Sequence, residues 1–226
     1  MPDSQTAKMD QESLSQKHSF GTKDLLLHVC CGPCAEWPVR SLREEGYLLT
    51  AFYYNPNIHP LIEQRRRRDH AAALMRLREI PFREDDSYLE DMWLAKAWEN
   101  PAQIFPECRG KYNSRCEMCY AIRMKRTAIE AKRLGCPAFS TTLLVSPYQN
   151  HEAIIAAGQK AAAESGVDFI YRDFRSGYRE GQNMAKDDGL YRQKYCGCIF
   201  SLEESVFRDK IYKSFEGSAG ETSTVL

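Results

Sequence analysis

The sequence predicts an α/β protein, an open parallel sheet flanked by helices. Short, continuous apolar runs alternate with amphipathic stretches of helical period, as buried parallel strands and their crossover helices do. Glycines close three of the helical stretches, where a left-handed C-cap is usual: Gly46, Gly135 and Gly166. Cysteines cluster at the ends of strands instead of being spread along the chain.

Strands are predicted at 25–29, 47–54, 81–83, 138–144 and 167–171. Helices are predicted at 35–45, 60–79, 88–98, 117–134, 151–165 and 178–187. Pro60 occupies a first-turn position, where its missing N–H costs nothing. Residues 1–20 and 217–226 are polar and aperiodic, so they are expected to be disordered tails around a single α/β catalytic domain spanning 21–216. In an open α/β sheet ligands bind beyond the carboxyl ends of the strands. The segments that leave those ends are Cys30-Cys31, Asn55-Pro56-Asn57, Ser146-Pro147-Tyr148 and Asp173, and they are expected to converge on one cleft.

With 226 residues the chain can bury a core without disulfide staples. Lys plus Arg number 31 and Asp plus Glu number 31, so a polyanionic partner must be met by a local basic patch. No apolar run approaches the roughly 20 residues of a membrane span, and residues 1–20 lack the apolar stretch of a signal peptide. A cytoplasmic protein is expected, with no membrane partner. There nine clustered cysteines read as metal or redox chemistry and not as a disulfide framework.

Cys30-Cys31 follows the first predicted strand, and Cys116-x-x-Cys119 opens a predicted helix. Thiol pairs at helix starts are arranged as a soft-metal site would be, because helix N-termini favour negative charge and thiolates ligate zinc and iron–sulfur clusters. Spacing alone leaves both metals open. Cys31-x-x-Cys34 also admits a thioredoxin-like dithiol, although that motif leaves Cys30 and the second pair unexplained. In Cys196-Gly197-Cys198 a single intervening residue makes any disulfide strained and easily reduced, which suits electron transfer better than architecture. The bland alternative is two unrelated thiols in a turn. Cys136 reads as core packing and Cys108 has no partner in sequence. His28, on an apolar strand, reads as a core histidine, and His59, before a helix, as a cap, a ligand or a residue with no special role.

Two basic groups stand out. Arg65-Arg66-Arg67-Arg68 lies on a predicted helix and points around its axis, so a solvated face is as good a reading as phosphate binding. Arg115, Arg123, Lys125 and Arg126 lie beside the second cysteine pair and are the better candidates for a nucleic-acid backbone. Tyr191-Arg192-Gln193-Lys194-Tyr195, just before Cys196, combines aromatic and cationic groups able to stack on or hydrogen-bond a base. No Gly-x-Gly-x-x-Gly or Ser-Gly-Gly phosphate loop is present. Cysteines occupy the first βα turn where the latter would sit.

Taken in order, the segments 27–34, 53–60, 115–119, 140–148 and 191–198 resemble the QueH family of epoxyqueuosine reductases, over about 25–202. The resemblance implies a Rossmann-like sheet related to the adenine-nucleotide hydrolase superfamily. It implies a [4Fe-4S] cluster held by Cys30, Cys31, Cys116 and Cys119, and a redox-active pair, Cys196 and Cys198. It implies a possible additional mononuclear iron, for which Cys34 and Asp173 are candidate ligands. The implied reaction is the last step of queuosine synthesis: two-electron, cobalamin-independent removal of the epoxide oxygen of epoxyqueuosine in tRNA, driven by an unidentified electron donor. Arg115, Arg123, Arg126, Tyr191 and Arg192 are then the candidate tRNA contacts. The stretch 101–113, with Cys108, looks longer than the family pattern. A thioredoxin-like disulfide reductase and a zinc-stabilised tRNA-binding module are the alternatives from other classes.

Overall fold

The computed structural model describes residues 23–89 and 114–216. Five parallel strands form one sheet in the order β3-β2-β1-β4-β5. They are β1 (Asp24–His28), β2 (Leu48–Tyr53), β3 (Phe82–Glu84), β4 (Ala138–Thr141) and β5 (Asp168–Phe169). Register runs Leu25↔Leu49 on one side of β1 and Leu25↔Ala138 on the other. β1 is therefore central, and Leu25, Leu26 and Leu27 are fully buried.

Helix α1 (Gly32–Glu44) joins β1 to β2, and α2 (Leu61–Leu77) joins β2 to β3. The chain then crosses the sheet to α3 (Ser114–Leu134) and β4, and α4 (His151–Ser165) leads to β5. Right-handed crossovers put α1 and α2 on one face and α3 and α4 on the other. The later helices are α5 (Tyr178–Asp187), which packs on α1, then α6 (Ile199–Glu203) and α7 (Arg208–Glu216). The strand order reverses between β1 and β4. A crevice opens at such a switch point because the two connecting segments leave in opposite directions.

All five predicted strands are present, and so are five of the six predicted helices. Helix α1 starts three residues earlier than expected because Gly32 and Pro33 fit its first turn, with Cys31 as the extended N-cap. The predicted strand at 138–144 ends at Thr141. There the threonine hydroxyl accepts the Leu143 N–H at 3.1 Å and turns the chain into a 3-10 helix, Thr142–Val145. The fifth strand keeps only two residues. Helices α6 and α7, which periodicity did not predict, bury Tyr195, Leu202 and Ile211 in a small separate core. The predicted helix at 88–98 falls outside the described residues from position 90 onward. The two tails, Cys108 and the whole of the 101–113 stretch also lie outside them.

Candidate metal centre

The first βα turn brings three thiols together. The sulfurs of Cys30, Cys31 and Cys34 lie within 4.8 Å of one another, and Cys30 Sγ is 3.9 Å from Cys31 Sγ. Cys30 continues β1, Cys31 caps α1, and Cys34 lies in the helix's first turn. Thr142, at the end of β4, closes the turn from the far side of the switch point: its hydroxyl accepts the Cys30 N–H at 3.1 Å and approaches Cys30 Sγ at 3.3 Å. Hydrogen bonds from the neighbouring thiols hold Cys30 well below the usual thiol range. Burial and the Cys30 charge push Cys31 up, and the hydrogen-bonded Cys30 and Cys31 push Cys34 up.

A cavity of about 260 Å³ opens over these sulfurs, lined by Cys30, Cys34, Cys119 and Cys196 among others. Arg67, Arg123 and Lys194 also line it, and among the described residues no carboxylate does. A buried, thiol-rich, cation-lined cavity fits a thiolate-ligated metal group, whose sulfurs carry negative charge. Hard-ion chemistry would call for carboxylates instead.

Helix α3 presents Cys119 to the cavity, and Cys116 one turn earlier is half-buried and is not among the cavity-lining residues. Burial raises the Cys119 thiol, and Arg123 opposes that. Cys196 is exposed at the mouth, and Cys198 is pushed up to about 12 by burial and by Cys196. The loop between them is pinned from α2. Arg67 donates to Cys196 O at 2.9 Å and to Tyr195 O at 3.0 Å, while its Nε pairs with Glu63 at 2.7 Å. Gly197 has φ +137, and a Cβ there would meet Arg67 Nη1 at 3.0 Å. His59 N–H donates to Gly197 O at 2.8 Å.

The remaining sequence candidates divide by position. Asp173 lies outside the cavity, about 42% exposed, and both its carboxylate oxygens are bound by Arg175. Its carboxyl is held down to about 2 by that guanidinium. Arg123 is buried and lines the cavity, so among the described residues it is placed toward the cavity and away from a surface phosphate. Arg126 is committed to Asp85 and Glu130 at 2.8 and 3.1 Å and lies over the rings of Phe52 and Tyr54. Arg115 is buried against Glu204 at 2.7 Å and over Phe200. Tyr191 donates its hydroxyl to Glu63 and stacks under Arg66. Arg192 is exposed. His28 is the core histidine expected. The Tyr54 carbonyl accepts from Nε2 at 3.1 Å and Thr141 Oγ1 lies 2.9 Å from Nδ1, and burial lowers the ring's pKa to about 4.

Sequence reasoning did not single out Gln149 as a cavity residue, and it named Thr142 and Gln193 only as members of the 140–148 and 191–195 segments. It also missed the role of Asn57, whose amide meets Cys119 Sγ at 3.4 Å. Only the position of Asn57 after β2 and of Gln149 after β4 pointed their way.

A protein-family model described as epoxyqueuosine reductase QueH matches residues 25–204. Among curated proteins, the epoxyqueuosine reductase QueH of Thermotoga maritima is 36% identical over 182 residues, covering 80% of this chain and 91% of that protein. The protein of the same name from Dehalococcoides mccartyi is 32% identical over 180 residues, covering 80% and 93%. That of Acinetobacter baylyi is 35% identical over 203 residues, covering 87% and 88%. The matched span begins at β1, runs through the thiol turn and the cavity, and ends in the segment that follows Cys198, so the chain belongs to the epoxyqueuosine reductase QueH family.

Proposed function

We propose that this protein reduces epoxyqueuosine in tRNA to queuosine, the last step of queuosine synthesis, without cobalamin and in the cytoplasm. Family membership together with a thiol-lined cavity at the sheet's switch point carries this reading. Among the described residues no helix is long and apolar enough to cross a membrane.

The reaction removes one oxygen as water and leaves a carbon–carbon double bond, which consumes two electrons and two protons. When bound, an iron–sulfur cluster would supply electrons singly, and an iron with an open position would act as a Lewis acid on the epoxide oxygen. Cys30, Cys31, Cys116 and Cys119 are the proposed cluster ligands, and Cys34 is a candidate for an additional iron. The cavity geometry makes Cys34 a competitor of Cys116 for the cluster itself.

The chain's own groups would do the rest. Arg67 and Arg123, fixed cations at the cavity wall, favour negative charge developing on the departing oxygen. Closing Cys196 and Cys198 to a disulfide releases two electrons and two protons, the same count the deoxygenation needs, and an external donor must then reduce them. Tyr148 and Tyr178, edge-to-face at the cavity, offer rings to a nucleobase. Cys31 and Cys34 are too buried to attack a protein disulfide, which weighs against the thioredoxin-like alternative.

Anaerobic, cluster-loaded, reduced protein incubated with epoxyqueuosine-containing tRNA should yield a modified nucleoside lighter by one oxygen on mass spectrometry. A metallated, reduced enzyme that leaves the nucleoside unchanged would refute the reading. Iron and sulfide content identifies the ligands. Cys30→Ala and Cys119→Ala should lose most of both, and whichever of Cys34→Ala and Cys116→Ala does the same is the fourth ligand.

A further inference from the structure

Three side-chain amides around the cavity each meet a different cysteine sulfur. Asn57 Nδ2 lies 3.4 Å from Cys119 Sγ, Gln149 Nε2 lies 3.5 Å from Cys196 Sγ, and Gln193 Nε2 lies 3.5 Å from Cys34 Sγ. An amide's nitrogen and oxygen are told apart only by their partners. For Asn57 the partner decides. A guanidinium has donors and no acceptor, and Arg123 Nη2 donates to Asn57 Oδ1 at 2.9 Å. The oxygen therefore faces Arg123 and the N–H faces Cys119. Asn57 and Arg123 are each 5% exposed, so the donor and the group that orients it are shielded from bulk water, while Cys119 is partly buried at the cavity wall. Arg123 lies four residues after Cys119 on the same face of α3, so one helix supplies both the sulfur and the group that orients its donor.

We propose that Asn57 is a positioning residue, a fixed N–H donor to the Cys119 sulfur that makes the metal group held there easier to reduce, with Arg123 locking the donor's orientation. The inference rests on the iron–sulfur reading above. An added electron places part of its charge on the ligating sulfurs, and an N–H dipole aimed at one of them stabilises the reduced form more than the oxidised form. Because the donor is neutral and its orientation is set by α3, it does so without a proton to lose.

The test uses the full chain, loaded anaerobically with iron and sulfide and reduced stepwise by dithionite with mediators, followed by electron paramagnetic resonance. At a fixed potential Asn57→Ala should lower the reduced-to-oxidised ratio about tenfold, which is about 59 mV for one electron. Asn57→Asp, which keeps the shape but turns an acceptor toward the sulfur, should lower it further. Metal content and melting temperature should stay close to those of the unaltered protein, which separates tuning from mere support. For a variant that does not retain the cluster, cobalt(II) alone is the probe. Its thiolate-to-metal charge-transfer band should move to lower energy when the sulfur loses its donor. An unchanged ratio and an unshifted cobalt band in both variants would overturn the proposal alone. Unaltered protein that takes up no iron and sulfide would overturn the cluster reading and this proposal with it.

Discussion

At the scale of single residues, the centre depends on a buried charge that the sequence hides in a run of four arginines. Arg65 to Arg68 look alike as text, but only Arg67 turns inward, at 3% exposure, against a fully buried Glu63. The pair is surrounded by uses: Glu63 accepts the Tyr191 hydroxyl, and Arg67 grips the backbone on either side of Cys196. Removing one member of a buried pair leaves the other charge desolvated, at a cost of about 3–5 kcal/mol. Arg67→Met should therefore lower unfolding stability by about that amount in urea titrations, whereas exposed Arg65→Met should stay within about 0.5 kcal/mol. Equal effects at the two positions would mean that the pair carries no special weight. Nothing in composition distinguishes the four arginines, because the distinction is made by a loop more than a hundred residues away.

At the scale of elements, the β1–α1 thiol turn was legible because each part has a local signature: an apolar run, then paired cysteines, then Gly-Pro at a helix start. The docking of the 190s segment onto α2 was not legible, since it rests on contacts between elements far apart in the chain. His70 of α2 accepts the Tyr191 N–H through Nδ1 at 3.2 Å, and the two rings lie 6.0 Å apart. Burial lowers the His70 pKa, with Asp69 opposing and Arg66 adding to the shift. The sign follows from linkage. A histidine depressed in the folded state binds its proton more readily when unfolded, so stability is full above the ordinary histidine value of about 6.5 and is lost as pH falls through the lower folded value. Protonation would also replace the Nδ1 acceptor with a donor facing the Tyr191 N–H. His70→Asn keeps an acceptor there and does not titrate. Urea midpoints compared at pH 8 and pH 5 should therefore fall less in His70→Asn than in the unaltered protein. An identical fall in both would assign the acid sensitivity to other groups.

For the whole molecule, equal numbers of acidic and basic residues leave no general attraction to RNA, so the tRNA binding proposed above requires a local basic patch, and the rim of the cavity is the place to test first. Position narrows the candidates that sequence proximity had favoured. Arg115 and Arg126 are committed to carboxylates and ring faces, and Arg123 is buried at the cavity wall. Lys194 is both exposed and part of the cavity wall, and Arg192 is exposed two residues before it. Each phosphate neutralised contributes about −0.7 to −0.9 to the slope of log affinity against log salt, and contacts from Arg192 and Lys194 alone would give a shallow total slope. Lys194→Glu should reduce that slope by about one contact and raise KM for tRNA more than it lowers kcat, because it removes steering and leaves the thiols untouched. The corresponding reversal at Arg126 should act on folding stability instead, through stranded Asp85 and Glu130. Filter binding of tRNA at several salt concentrations separates the two: a steep slope insensitive to Lys194 would place the RNA on another face of the sheet.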